Sequence, residues 1–374
     1  MCHSASRTGA PILLLKLLSY IRQNELFSFS IIIKQNGPLV SDFVQFGETL
    51  VLPSRYEPVY KGNGIVTSIR NRFAFAKQKK RFDQNINRLA ASADIVFINS
   101  IASAGMLHYL SSFKGKMISY VHELEFGIKY NAAPSDVQML MKATDLFLVP
   151  CAPVGRNLVE QYDVPEGKIT RLRYPMEPKS ITPVDIRKMI NVPVDTFIVC
   201  ACGTTDWRKG FDLFYQVARQ LWLKRNKADF HFVWIGGNPD NPNVLQAKIE
   251  LRNMGISHLV SFIPESSDVQ PYIAAGNVFF LPSREDPYPL VVLDAASYEI
   301  PCICFDKGGG FVEFVEDDAG WIVPFMDIAA AADCIDHLIG HRNEITVKGK
   351  KAAEKLRLRH NPGTIIDELQ KLLA

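Results

Sequence analysis

Short apolar runs alternate with amphipathic helical patterns along almost the whole chain. In the first half the runs fall at residues 29–33, 49–52, 95–99, 117–121 and 146–150. Helical patterns lie between them at 12–22, 69–91, 102–112 and 135–142. The second half repeats the rhythm, with runs at 197–201, 230–235, 259–262, 278–281, 302–305 and 321–323. Such alternation predicts an α/β chain whose parallel strands are covered by helices on both faces. The segment YPMEPKSITPVD, Tyr174 to Asp185, holds three prolines and no periodic pattern, so it reads as a linker. Two doubly wound domains facing across a cleft are therefore expected: 1–178 and 179–360. The helical pattern at 361–374 is left to return to the first of them. A chain of 374 residues is long enough for both.

The densest chemistry falls at 278–315. The apolar run Val278 to Leu281 leads into PSREDPYPL, a loop with Pro287 and Pro289, neither of which suits a strand or helix interior. A helix pattern opens at Leu290 and runs to Ser297. Asp286 lies in the loop, and Asp294 about two turns into the helix. A second run, Cys302 to Phe305, ends in Gly308, Gly309 and Gly310, and another helix start follows at Val312. Two adjacent strand–loop–helix corners can each present free backbone N–H groups to an anion. In open parallel sheets, ligands sit beyond the carboxyl ends of the strands, where these corners fall.

Asp286 with Asp294, the apolar Leu290 and Leu293, the glycines Gly309 and Gly310 with Glu313, and the continuation FVEDDAGWIVP together resemble the retaining glycosyltransferases of family 4. The resemblance implies the GT-B fold, two Rossmann-like domains. It further implies transfer of a sugar from a nucleotide-sugar donor to a hydroxyl acceptor, in bacterial surface polysaccharide synthesis. The family's acidic pair is usually glutamate, and the aspartates here are a departure that bears on the sugar preference. Under the resemblance Asp294 binds ribose hydroxyls and Asp286 sugar hydroxyls. Tyr288, Leu290 and Val291 line the donor loop. Because Pro287 and Pro289 have no N–H, only Tyr288 and Leu290 can donate from DPYPL.

FIVCACGTTDWRKG, Phe197 to Gly210, is a strand followed by a loop with Gly203, Arg208 and Lys209. Two cations there can neutralise a diphosphate, although a loop of solvated charges gives the same pattern. The family carries an Arg and a Lys five apart; Lys209 matches the Lys, Thr204 stands at the Arg position, and Arg208 is the candidate substitute. VWIGGN ends a strand at Gly236, and the strand closing near Ile263 would turn its backbone to the base. YVHELEF places His122 at a strand end, where an imidazole can exchange a proton near neutral pH or simply be hydrogen-bonded. The family's His–Glu pair at this position contacts the donor sugar. HSASRTGAP carries Gly9 at a turn where a ligand can approach the backbone. Only Met1 and Cys2 precede it, so the first strand of the first sheet is expected to be missing.

The net charge of +3 is too small to imply nucleic acid. No apolar run approaches the roughly 18 residues needed to span a bilayer. Seven cysteines in a chain this long do not form a disulfide framework, and no ligand spacing suggests a metal. A reducing cytoplasmic setting, at the inner face of a membrane, is expected. IRNRFAFAKQKKR, residues 69–81, interleaves Arg70, Arg72, Lys77, Lys79, Lys80 and Arg81 with Phe73 and Phe75, a pattern that suits either anionic lipid or a solvated helix face. The expected partners are thus a nucleotide-sugar donor, a glycan or lipid-linked acceptor and a membrane surface, with no metal or other cofactor. Two other functions stay open from sequence: a nucleotide-sugar epimerase of the same fold, and a two-domain protein that binds sugar or nucleotide without turnover.

Overall fold

A computed structural model describes residues 1–23, 27–54, 56, 59–61 and 64–373. The chain divides into two compact units, Met1–Pro175 with Pro362–Ala374, and Met176–Asn361.

The first unit holds strands β1 (Ser30–Ile33), β2 (Glu48–Val51), β3 (Ile95–Asn99), β4 (Lys116–Tyr120), β5 (Leu146–Val149) and β6 (Ile169–Arg171). They form a pair, β1-β2, and a four-stranded sheet, β3-β4-β5-β6, every pairing parallel. Cys2 stands between the two, bridging Ile33 on one side and Asn99 on the other in parallel sense. Its N–H donates to Ile32 and its carbonyl accepts from Lys34. The helix Gly9–Gln23 follows, burying Leu13, Leu14, Leu17 and Leu18, and the closing helix Pro362–Leu373 buries Ile365, Ile366 and Leu369 in the same unit.

In the second unit β7 (Phe197–Cys202), β8 (Phe230–Ile235), β9 (Val260–Ile263), β10 (Val278–Leu281), β11 (Cys302–Phe305) and β12 (Gly320–Val323) form one six-stranded sheet, ordered β12-β11-β10-β7-β8-β9 and wholly parallel. Every residue of β7, β8, β10 and β11 is buried. Central strands covered on both faces read as continuous apolar runs for this reason. Aromatic rings lock the helix Phe211–Arg225 onto β8: Phe214 lies 5.1 Å from Phe232 and 5.3 Å from Trp234. The order reverses between β10 and β7, which places a crevice at the carboxyl ends of those two strands.

Two local expectations change. The helix expected at 102–112 is a 3-10 segment, Ile101–Tyr109. Its Gly105 lies close against the helix Pro134–Ala143: a Cβ there would come within 2.9 Å of the Asp136 carboxylate. β6 has only three partly buried residues, Ile-Thr-Arg, too short to show a pattern. None of the seven cysteines is disulfide-bonded, and six are buried.

Candidate active site

The second unit brings the two loops of the sequence analysis together at the switch between β7 and β10. After β7 the chain turns at Gly203 and runs through Thr204–Lys209 into the helix Phe211–Arg225. Asp206 shapes this loop. One of its oxygens accepts from the Lys209 N–H (3.0 Å) and the other from the Thr204 hydroxyl (2.6 Å). After β10 the chain runs through Pro282–Pro289 into the helix Leu290–Ser297. The Arg208 carbonyl accepts the N–H groups of Arg284 (2.9 Å) and Glu285 (3.2 Å), which fixes one loop on the other.

The closeness of these loops dictates their glycines. Gly210 has φ +69°, and a Cβ there would fall 1.9 Å from the Pro282 carbonyl oxygen. Gly309 has φ +148°, and a Cβ there would fall 1.8 Å from the Asp286 carbonyl oxygen. Glycine tolerates both the backbone angle and the contact.

Asp286 is the centre of this arrangement, only 5% exposed. Its carboxylate pairs with the Lys209 ammonium, lies 3.7 Å from an Arg208 nitrogen and accepts a long bond from the Ser283 hydroxyl at 3.5 Å. Arg208 also donates to the Glu285 carbonyl at 3.0 Å. Arg208 therefore reaches the same carboxylate as Lys209 from the neighbouring position. Two cations thus flank one buried carboxylate. Beside it opens the helix Leu290–Ser297. The N–H groups of Leu290 and Val291 precede its first internal bond, Val292 N–H to Pro289 carbonyl at 3.2 Å. They present the positive helix end to the crevice. Tyr288 is buried behind the loop, its hydroxyl 3.0 Å from His360 Nε2 and its ring stacked on that imidazole. The side chain of Tyr288 is thus a support for the loop.

Asp294 lies on the same helix, its Oδ1 3.4 Å from the Gln270 amide nitrogen. Cys202 at the end of β7 feels both Lys209 and Asp294, although burial dominates and pushes its thiol up to about 12. Gly236 and Gly237 both donate to the Ile263 carbonyl at 2.9 Å. That carbonyl, one group of the backbone expected near a base, holds the end of β8 to the end of β9. Gln270 and Ser283 were not legible in the sequence, because each acts through a contact with a distant loop.

In the first unit, His122 follows β4 and is held on both sides. Its Nδ1 lies 2.9 Å from the Tyr174 hydroxyl and its Nε2 2.9 Å from Asn99 Oδ1. The Asn99 amide nitrogen donates to the Ala10 carbonyl at 3.0 Å, so Oδ1 is its acceptor end. His122 then carries its proton on Nε2, and Tyr174 donates to Nδ1. Burial, and next the nearby His3, lower its pKa to about 3. Of the two readings of His122, proton exchange or a hydrogen-bonded imidazole, the geometry matches the second: both ring nitrogens are engaged. Glu123 beside it caps the 3-10 segment. Its carboxylate accepts from the Ser100 hydroxyl and from the N–H groups of Ile101 (3.2 Å) and His122 (2.9 Å). Gly9 is exposed and opens the helix Gly9–Gln23, and space for a Cβ is free around it.

The helix Ile65–Ser92 leaves Ile65, Val66, Ile69 and Phe73 exposed, Phe73 by 74%. Lys79 is not part of its outer basic face: it pairs with Asp83 and lies 4.4 Å over the Tyr109 ring. No helix among the described residues is long and apolar enough to cross a membrane.

Comparison with known proteins matches residues 196–341 to the family of glycosyl transferases group 1. A D-inositol 3-phosphate glycosyltransferase of Corynebacterium diphtheriae is 23% identical over 212 residues, 54% of this chain and 49% of that protein. The putative colanic acid biosynthesis glycosyltransferase WcaL of Escherichia coli is 23% identical over 292 residues, 74% of this chain and 70% of that one. An uncharacterized glycosyltransferase of Haemophilus influenzae is covered over 36% of its length, so the chain spans about half or less of some of these relatives. Among solved structures, Anabaena HepE in complex with UDP superposes with a TM-score of 0.78 at 14% identity, over 100% of this chain and 98% of that one. The sucrose-phosphate synthase of Thermosynechococcus elongatus superposes with a TM-score of 0.75 at 19% identity, over 99% and 94%. Both likenesses establish the GT-B fold. The chain thus has the GT-B fold, and its residues 196–341 match the group 1 glycosyltransferases.

Proposed function

We propose that the chain transfers a sugar from a nucleotide-sugar donor to a hydroxyl acceptor with retention of anomeric configuration, in the synthesis of a surface polysaccharide or glycolipid. The observation that carries this reading is the convergence of Lys209, Arg208 and the helix start at Leu290 on Asp286, inside the matched domain. A departing diphosphate needs fixed positive charge, and two cations beside a helix N-terminus supply it. In the resting site Lys209 is held by Asp286, and an arriving phosphate competes for the ammonium. Asp286 then turns its oxygens to sugar hydroxyls. Asp294 takes the ribose. His122, neutral and oriented by Asn99 and Tyr174, is assigned to a contact with the transferred sugar, not to proton transfer. We propose that these groups stabilise the leaving diphosphate without a divalent metal. UDP in the HepE structure and the colanic acid assignment of WcaL support a nucleotide donor and a glycan product.

The acceptor side is proposed to include an anionic membrane face. The helix Ile65–Ser92 places exposed Ile65, Ile69 and Phe73 beside exposed Arg70, Arg72, Lys77 and Lys80, the composition of an interfacial helix. The donor reading is tested by thermal stabilisation with UDP, GDP, ADP and CDP across a concentration series. A ligand that binds the folded state raises the melting temperature, and by more the higher its affinity and concentration. A rise with one diphosphate supports the reading; no rise with any of them opposes it.

A further inference from the structure

We infer that Gln270 is a second nucleoside contact, one that accepts a hydrogen bond from a ribose hydroxyl beside Asp294; this rests on the nucleotide-sugar reading above. A ribose cis-diol brings two hydroxyl protons to the site, and each needs an acceptor. Asp294 is a short carboxylate on the second turn of its helix, and its Oδ1 already receives the Gln270 amide nitrogen at 3.4 Å. Only the amide NH2 of Gln270 can face a carboxylate, which fixes the orientation of the side chain. The other end, Gln270 Oε1, is shielded from solvent and has no hydrogen-bond partner among the described residues. An unmet buried acceptor has lost its water without gaining a partner, so a group that satisfies it gains binding energy there. Gln270 opens a short helix, Gln270–Ile273, next to Asp294. The torsion that turns its amide is broad and soft. A small rotation carries Oε1 toward a hydroxyl next to the one Asp294 holds. The same Gln270 therefore orients the carboxylate through its nitrogen and reads the nucleoside through its oxygen.

The test measures affinity by titration calorimetry for the best-binding ribonucleoside diphosphate and for its 2′-deoxy and 3′-deoxy forms. The proteins are the wild type, Gln270→Met and Gln270→Glu. The wild type is expected to bind the ribonucleotide about tenfold more tightly than each deoxy form, the scale of one hydrogen bond to a charged or buried partner. Gln270→Met should lose the preference for one hydroxyl and keep the other, which belongs to Asp294. Gln270→Glu keeps an acceptor but adds a like charge. It should bind all three nucleotides more weakly while keeping both preferences. If Gln270→Met weakens all three equally, Gln270 acts only as packing and the inference fails. If both preferences survive in Gln270→Met, another group reads the ribose and the inference also fails. If the wild type binds none of the diphosphates, the nucleotide-sugar reading fails first and the inference falls with it.

Discussion

Replacing Lys209 with Met leaves the Asp286 carboxylate 5% exposed with Arg208 at 3.7 Å and Ser283 at 3.5 Å as its remaining partners. Removing one member of a buried pair costs roughly 3–5 kcal/mol, because the other charge stays buried. Arg208 offsets part of this, so about 3 kcal/mol is expected for Lys209→Met. Asp286→Asn should cost less, about 1–2 kcal/mol, since Lys209 is 15% exposed and its ammonium can swing toward water. The double variant should then be more stable than the sum of the two losses predicts, with a coupling of about 2 kcal/mol. Urea denaturation followed by tryptophan fluorescence measures this in one unit alone. All four tryptophans, Trp207, Trp222, Trp234 and Trp321, lie within Met176–Asn361. A two-unit chain need not unfold in one step, and this probe avoids averaging over both. A coupling under about 0.5 kcal/mol would mean that the pair is a surface-like contact, and the argument for a charged, preorganised centre would fail. In the same variants kcat/KM should fall roughly 100-fold or more, the scale for losing a charged transition-state contact.

Asp294→Ala should weaken nucleotide affinity while leaving kcat at saturation little changed, because ribose contacts are similar in ground and transition states; normal nucleotide affinity with lost turnover would reverse the roles of the two aspartates. Gly309→Ala forces a Cβ to within 1.8 Å of the Asp286 carbonyl and should destabilise the second unit by more than about 2 kcal/mol, read by the same fluorescence. For His122 the folded pKa of about 3 lies below the ordinary value of 6.5. The unfolded chain therefore binds a proton that the folded chain refuses between those values, and stability falls as pH drops through that window, by up to about 1.4 kcal/mol per pH unit. His122→Asn should flatten that slope in hydrogen exchange of Ile95–Asn99 and Lys116–Tyr120; an unchanged slope would show that His122 is protonated in the fold. Phe73→Ser with Arg70→Ser should abolish co-sedimentation with anionic vesicles, and undiminished sedimentation would remove the helix Ile65–Ser92 as the contact.

Strands that are buried on both faces were legible because burial leaves no alternation to obscure them: β7, β8, β10 and β11 read directly as apolar runs. β6 was not, because three half-buried residues carry no periodicity. The residues around the candidate site showed the same division. Asp286, Arg208 and Lys209 stand in recognisable loops. Their pairing spans 77 positions and depends on how closely Gly210 and Gly309 let the backbones approach. The partners of His122 could not be read at all. Asn99 precedes it by 23 positions and Tyr174 follows by 52, joined only by the ends of β3 and β4 and the start of the linker. An exposed histidine near pH 7 and a neutral, doubly bonded one have the same sequence neighbours; burial decides between them. Lys79 likewise left the basic face only because Asp83 and Tyr109 are within reach.

The central claim is transfer with retention from a nucleotide sugar. The most direct measurement incubates the chain with a panel of nucleotide sugars and candidate glycosyl acceptors and follows the anomeric proton by NMR. The account predicts release of nucleoside diphosphate and a product whose anomeric configuration equals that of the donor. An inverted product, or a nucleotide sugar isomerised with no diphosphate released, would contradict it.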